Sequence, residues 1–476
     1  MKTKASQMRR KSRTTDMIAS DCCRCLVGFA AALAILTDCS NTFAPGSVGS
    51  DGQPRAAGVS LQRPLRTGTI EHIVVIVQEN RTVDNLFNSL PGANTVQSGK
   101  NMRGEEIGLQ PVSLTAPYDL SHGHSGWVAD YDHGKMDGFS TEHENCNGKG
   151  DCPKRDVAAY GYVPRSEIKP YWDMALKYTF ADNMFQTNQG PSFPAHQYLI
   201  SGTSTIDNIS HLKAAENPTD PRREGRQGGC NSVRGATVVT IDQRGVEGRA
   251  VYPCFDRISI MDLMNQREVS WHYYQEYGGS GLWHAVDAIK TIQEGPSYEN
   301  VRWPSAQVLK DIALDRLADV TFVTPSAAES DHAGTNNGTG PSWVASIVNA
   351  IGKSSYWNNT AIIVTWDDWG GWYDHVPPQI YNSYELGFRV PMIVISPYAK
   401  RGHVSHTPYE FGSILKFIEQ TFDLRSLGTT DVRANDLSDC FDFGAKPRAF
   451  SLIASKYPAG YFEALPISYE SPDDDN

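Results

Sequence analysis

The residues best suited to chemistry are two polar doublets, each following an apolar, β-branched run. Ile73-Val-Val-Ile-Val77 leads into Gln78-Glu79-Asn80-Arg81, and Ala361-Ile-Ile-Val-Thr365 leads into Trp366-Asp367-Asp368-Trp-Gly370-Gly371. Such runs read as buried strands. Lying parallel in one sheet, they would deliver both doublets to its C-terminal edge, where ligands bind in open α/β sheets. Carboxylates and an amide converging there make a hard oxygen site suited to one divalent cation. Either doublet alone reads as a helix cap; the two together point to a site.

A candidate nucleophile stands in Gly190-Pro191-Ser192-Phe193-Pro194-Ala195-His196. Gly-Pro before Ser192 and an apolar helical pattern after it place the hydroxyl at a helix N-terminus, where free N–H groups and the dipole favour an anion. A metal on that oxygen would lower its pKa and let it attack at neutral pH. Histidines supply proton chemistry. His122 and His124 lie two residues apart in Asp119-Leu-Ser-His122-Gly-His124, and the spacing does not decide between them. Asp331-His332 and Asp374-His375 each follow a strand-end segment, which makes Asp331, His332 and His375 further candidates.

These residues need a scaffold that brings distant segments to one edge. Apolar runs at 73–77, 320–323, 361–365 and 390–395 are continuous rather than alternating, the pattern of parallel strands covered on both faces; 269–274 is a weaker candidate. Helical stretches at 342–351 and 410–422 alternate with them. The expected fold is α/β, a mostly parallel central sheet with helices on both faces. Residues 119–251 form a loop-rich insertion, rich in Gly, Asn and His, of the kind that carries binding residues.

Composition is that of a globular protein, 40% hydrophobic and 20% charged, with a formal net charge of −11. An acidic chain gives no footprint for nucleic acid. Lys2, Lys4, Arg9, Arg10, Lys11, Arg13 and Arg24 precede an apolar run at 26–36 that is short for a membrane span and fits an export signal over 1–39. Arg9-Arg10 allows a twin-arginine route, and Leu36-Thr-Asp-Cys39 allows a lipidated Cys39 anchoring the protein to a membrane, although Asp38 stands where a small residue is expected. Residues 40–69 read as a flexible linker, 70–465 as the catalytic domain and 466–476 as an acidic tail. In an exported protein Cys146 with Cys152, and Cys230 with Cys254, are natural disulfide pairs, leaving Cys440 single and buried.

Taken in order, the motifs resemble those of the bacterial phosphoesterase family that holds the phospholipases C and a class of acid phosphatases. Gln78-Glu79-Asn80-Arg81-Thr82-Val83-Asp84 is similar to its opening block. Asp119-Leu-Ser-His122, Gly134-Lys-Met-Asp137-Gly-Phe139, Gly190-Pro-Ser192 and Glu329-Ser-Asp331-His332 are similar to its later blocks, and Asp367-Asp368-Trp-Gly-Gly-Trp-Tyr-Asp374-His375-Val-Pro-Pro to its last. The resemblance runs from about residue 70 to 448. It implies an alkaline-phosphatase-like fold and one divalent metal held by Glu79, Asn80, Asp367 and Asp368 around Ser192. It also implies a phosphoserine intermediate, with His122 and His332 at the phosphoryl group. Ser192 where phospholipases often carry Thr, Asp367-Asp368 where they carry Asp-Glu, and the short C-terminal remainder lean toward an acid phosphatase acting on small phosphomonoesters. Phospholipase C is the alternative, and a surface binding protein without catalysis a further one. Ser192-Phe-Pro194-Ala-His196 also echoes a sulfatase signature, but His196 stands where that signature has Arg.

Overall fold

The apolar run ahead of the first doublet forms β1 (His72–Gln78), and the run ahead of the second forms β6 (Thr360–Trp366). Between them in sequence come β2 (Thr179–Ala181), β3 (Trp271–Tyr274), β4 (Val301–Arg302) and β5 (Val320–Val323), and after them β7 (Met392–Ile395) and β8 (His403–Ser405). In this computed structural model they make one eight-stranded sheet in the order β4-β3-β5-β1-β6-β7-β2-β8. Every neighbouring pair is parallel except the two that β7 makes with β6 and β2. The structure describes residues 69–148, 150–219 and 227–469, all within one unit, Gln62–Asn476. The export signal, Cys39, all but the last residue of the linker and the end of the acidic tail lie outside them.

The mixed α/β fold with a mostly parallel sheet is the expected one, with a correction at β7. Its run was taken for a parallel strand and is antiparallel. Continuous apolarity reports burial on both faces, and β7 is fully buried, but it carries no information about direction. Central β1, β5, β6 and β7 contribute the heart of the core, with Ile73–Ile76 and Ala361–Val364 fully buried.

Five helices matter for the site: α1 (His124–Tyr131), α2 (Lys169–Lys177), α3 (Ser192–Ser201), α4 (Gly340–Lys353) and α5 (Phe411–Thr421). Pro341 opens α4 and Lys353 lies in its last turn, both favoured there. A reciprocal Glu410–Ser413 capping pair starts α5. All ten residues of α3 are buried, so this helix is an internal strut rather than a surface element. Disulfides join Cys146 to Cys152 and Cys230 to Cys254, and Cys440 is free and buried, as expected. Among the described residues no helix is long and apolar enough to cross a membrane.

Candidate active site

The register of β1 with β6 brings the doublets together. Gln78 pairs with Trp366, the last residues of the two strands. Immediately beyond, the Asp367 N–H donates to the Gln78 carbonyl at 3.0 Å, and the Asn80 N–H donates to Asp367 Oδ1 at 3.0 Å. Asn80 adopts φ +60°, a left-handed conformation that Asn tolerates better than most residues. Gly370, at φ +59°, lies so close that a Cβ there would meet the Asn80 carbonyl oxygen at 2.5 Å. Glu79, Asn80, Asp367 and Asp368 are all fully buried.

Ser192 is the first residue of α3, preceded by extended Pro191. Its hydroxyl donates to Asp368 Oδ2 at 3.0 Å, and its oxygen lies 3.4 Å from the Asn80 side chain. One turn on, His196 falls on the same helix face and its Nε2 donates to Glu79 Oε1 at 2.9 Å, 3.8 Å from Asp367 Oδ2. Burial pulls His196 down to about 4, so its imidazole is neutral at pH 7. Sequence reasoning missed this residue as part of the site; the signal was its i, i+4 spacing from Ser192. Trp283, also missed, packs against His196 and His332 with ring centroids 6.5 and 6.2 Å away.

The Asn80 carboxamide relates the carboxylates to the histidines. One end lies 2.9 Å from His122 Nε2 and 3.3 Å from His332 Nε2; the other lies 3.2 Å from both Asp367 Oδ1 and Glu79 Oε2. Both rings use Nδ1 to donate to a backbone carbonyl, His122 to Leu120 at 2.7 Å and His332 to Ala333 at 2.8 Å. In the neutral imidazole Nε2 is then an acceptor, which requires the amide nitrogen to face the histidines. The amide oxygen consequently faces two carboxylate oxygens, an arrangement that is satisfied by a cation between them. The opposite orientation satisfies the carboxylates without a cation but needs both histidines protonated. Asp367 Oδ2 is buried with no hydrogen-bond partner among the described residues. This donor set, all oxygen and net negative, fits a divalent cation. Burial, with the neighbouring Asp367, pushes Asp368 well above the usual carboxylate range.

Other candidates fall elsewhere. His124 sits on α1 with Nδ1 bonded to the Gln189 carbonyl, so the open choice between His122 and His124 resolves to His122 at the cluster. Asp331 is not brought into it: its Oδ2 accepts from Tyr171 and from Trp366 Nε1, pointing into the core rather than toward Ser192. Nor is His375, whose Nδ1 lies 2.6 Å from Asp84 Oδ2 in a separate group with Asp374. Arg389 donates to both oxygens of Asp374 there, at 2.9 and 3.0 Å, and supplies the positive charge. Following a strand end in sequence does not fix where a side chain points, and the structure does not bring Asp331 or His375 to the Ser192 cluster.

Residues 70–425 match the sequence profile of the Phosphoesterase family. The chain belongs to the Phosphoesterase family. Relatives within reach include hemolytic phospholipase C of Pseudomonas aeruginosa, 26% identical over 81% of this chain and 58% of its own length. Phospholipase C B of Mycobacterium tuberculosis is 24% identical over 79% and 78%, and non-specific phospholipase C1 of Arabidopsis thaliana 23% identical over 81% and 74%. This Phosphoesterase family chain thus spans less than two thirds of the length of the Pseudomonas relative. Among solved structures, a protein of the alkaline phosphatase superfamily from Vibrio parahaemolyticus aligns over 79% of this chain and 72% of its own at 9% identity, with a TM-score of 0.35.

Proposed function

We propose that the protein is an exported, metal-dependent phosphoesterase that cleaves phosphate esters through a phosphoserine at Ser192. The observation that carries this reading is the Asn80 carboxamide, wedged between two histidines and two carboxylate oxygens 3.2 Å away beside the Ser192 hydroxyl. A divalent cation held by Glu79, Asn80, Asp367, Asp368 and Ser192 would stabilise the attacking oxygen and offset phosphoryl charge.

Ser192 Oγ attacks phosphorus in line as the ester P–O bond breaks, its proton passing to Asp368 Oδ2. One of His122 and His332, taking up a proton at Nε2 as the anionic ester binds beside it, gives that proton to the departing alkoxide while the other stays neutral. Each ring keeps its aim because Nδ1 stays bound to a backbone carbonyl. Water then attacks the phosphoserine and gives a proton to the same imidazole. The Oγ–P bond breaks, Ser192 recovers its proton from Asp368, and phosphate leaves. The positive end of α3 faces the phosphoryl group throughout.

For the substrate we favour a small phosphomonoester, the acid-phosphatase reading, on Ser192 and on Asp367-Asp368 in place of Thr and Asp-Glu. The relatives named as phospholipases C support a second reading, in which a phospholipid is cleaved. Export rests on the basic-then-apolar N-terminus and the two disulfides, and anchoring at Cys39 on its sequence context alone. Purified protein is tested with an aryl phosphate and with phosphatidylcholine, with and without chelator. Chelator-sensitive phosphate release from the aryl ester alone supports the monoester reading. Phosphocholine release transfers it to phospholipase C, and silence on both substrates with metal present overturns the proposal.

A further inference from the structure

We infer that Asp331 is a positioning residue that holds three site-bearing loops in register. Its side chain and backbone bond to residues that each adjoin a member of the cluster. Asp331 Oδ2 accepts from Trp366 Nε1 at 3.0 Å, and Trp366 immediately precedes Asp367. The Asp331 carbonyl accepts from Arg81 Nε at 2.9 Å, and Arg81 immediately follows Asn80. His332 is the next residue in the chain. The metal doublet after β1, the doublet after β6 and one of the two histidines are thereby joined through a single residue.

That hub is itself fixed. Asp331 is fully buried, and its Oδ2 also accepts from the Tyr171 hydroxyl of α2 at 2.8 Å. Its Oδ1 has no hydrogen-bond partner among the described residues and lies against Gly340, the first residue of α4, so close that a Cβ on Gly340 would overlap it. A carboxylate at the start of a fourteen-residue helix is favoured by the helix dipole. Arg81 reinforces the arrangement, donating to the Leu114 carbonyl at 2.9 Å and stacking on Trp372 within the loop beyond Asp368. The carboxylate is therefore held from two sides, by α2 and the end of β6, and lies against the start of α4. It touches neither Ser192 nor the Asn80 carboxamide, so its effect on the reaction passes through the loops.

This inference rests on the cation-site reading of the cluster, and its test separates the two. Asp331→Asn places an amide N–H2 or a weaker acceptor against the α4 N-terminus, while Gly340→Ala leaves the carboxylate and pushes it. Tyr171→Phe removes one bond with little change in shape. For each variant and the wild type, the dissociation constant for Mn2+ alone, the melting temperature, and kcat and KM on an aryl phosphate are measured. Loss of a group that orients ligands costs about 10- to 100-fold in metal affinity or activity. Asp331→Asn and Gly340→Ala are expected to weaken Mn2+ binding and lower kcat by that factor with KM within about twofold, Tyr171→Phe by less. Should Asp331→Asn fail to fold, Gly340→Ala and Tyr171→Phe carry the same readouts. Variants that melt lower yet keep wild-type Mn2+ affinity and kcat would make Asp331 scaffold only and overturn the inference. If the wild type binds Mn2+ but hydrolyses nothing, the function fails while the affinity comparison still decides the role of Asp331.

Discussion

Asp367→Asn should stabilise the metal-free protein and lose most of that advantage when metal is present. Ligand atoms of Glu79, Asp367 and His196 lie within 4.8 Å of one another. At that separation two carboxylates repel by about 3.5 kcal/mol at an effective dielectric constant of about 20. The substitution removes that charge, keeps an oxygen for the Asn80 N–H, and sets an amide at the unpartnered position. Metal-free protein should therefore gain stability, on the order of 3.5 kcal/mol. A cation at a hundred times its dissociation constant stabilises the wild type by about 2.7 kcal/mol, and the variant should lose most of that. With about 2.1 cal/mol/K of unfolding entropy per residue over roughly 400 folded residues, each kcal/mol moves the midpoint by about 1.2 °C. The assay is calorimetric melting of both proteins after dialysis against chelator, and again with saturating Ca2+, Mg2+ or Mn2+. The variant should melt about 3–4 °C above the wild type in chelator, and that lead should shrink by about 3 °C in metal. The same offset in every buffer would refute the cation site.

Ser192→Ala should abolish turnover and, by deleting one cation ligand, weaken metal affinity, while leaving the melting temperature in chelator near that of the wild type; turnover above a thousandth of wild type would remove Ser192 as nucleophile. His122→Gln and His332→Gln should each lower kcat by about 10²- to 10⁴-fold, whereas His124→Gln, off the cluster, should leave kcat within about threefold. Opening the Cys230–Cys254 bridge should cost about 3.5 kcal/mol and the Cys146–Cys152 bridge about 2.2, because loops of 24 and 6 residues differ in closure entropy; urea unfolding of the two double-Ser variants gives the order directly. Glu385, although burial opposes it, is held down to about 2 by Lys213 and Arg433. A depressed carboxylate contributes stability above its unfolded pKa and loses it as pH falls through the folded value. Glu385→Gln should therefore cost about 3 kcal/mol at pH 7, a gap that closes between about pH 4.5 and 2 in urea titrations.

The sequence carried most of the site and the centre of the sheet, for identifiable reasons. Continuous apolar runs made β1, β5 and β6 visible, and the doublets stand at once beyond two of them. β2 and β8, three residues each, and β4, with two, are too short to leave a period. Ser192 was marked by Gly-Pro and by the helical pattern behind it. His196 was overlooked because its meaning lies in one helical turn, not in a motif. Asp331 and His375 were misplaced because their partners are remote: Tyr171 is 160 residues from Asp331, and Asp84 is 291 from His375. Such distances are set by topology, which a local pattern does not contain.

The strand order also decides when the protein can come into being. β1 finds its longest partner in β6, and Asn80 meets Asp367 across 287 residues of chain. β2 takes its place only when β7 and β8 have arrived on either side of it. A nascent polypeptide lacks the ligand set until Asp368 has been made, and the β2 side of the sheet until residues near 405 have been made. Pairings this remote close slowly and leave strand edges open meanwhile. Truncated products ending before β6 should therefore be inert as well as unfolded, and the chain stays pliable over nearly its whole synthesis, the condition in which a polypeptide can be threaded through a narrow channel and fold on the far side.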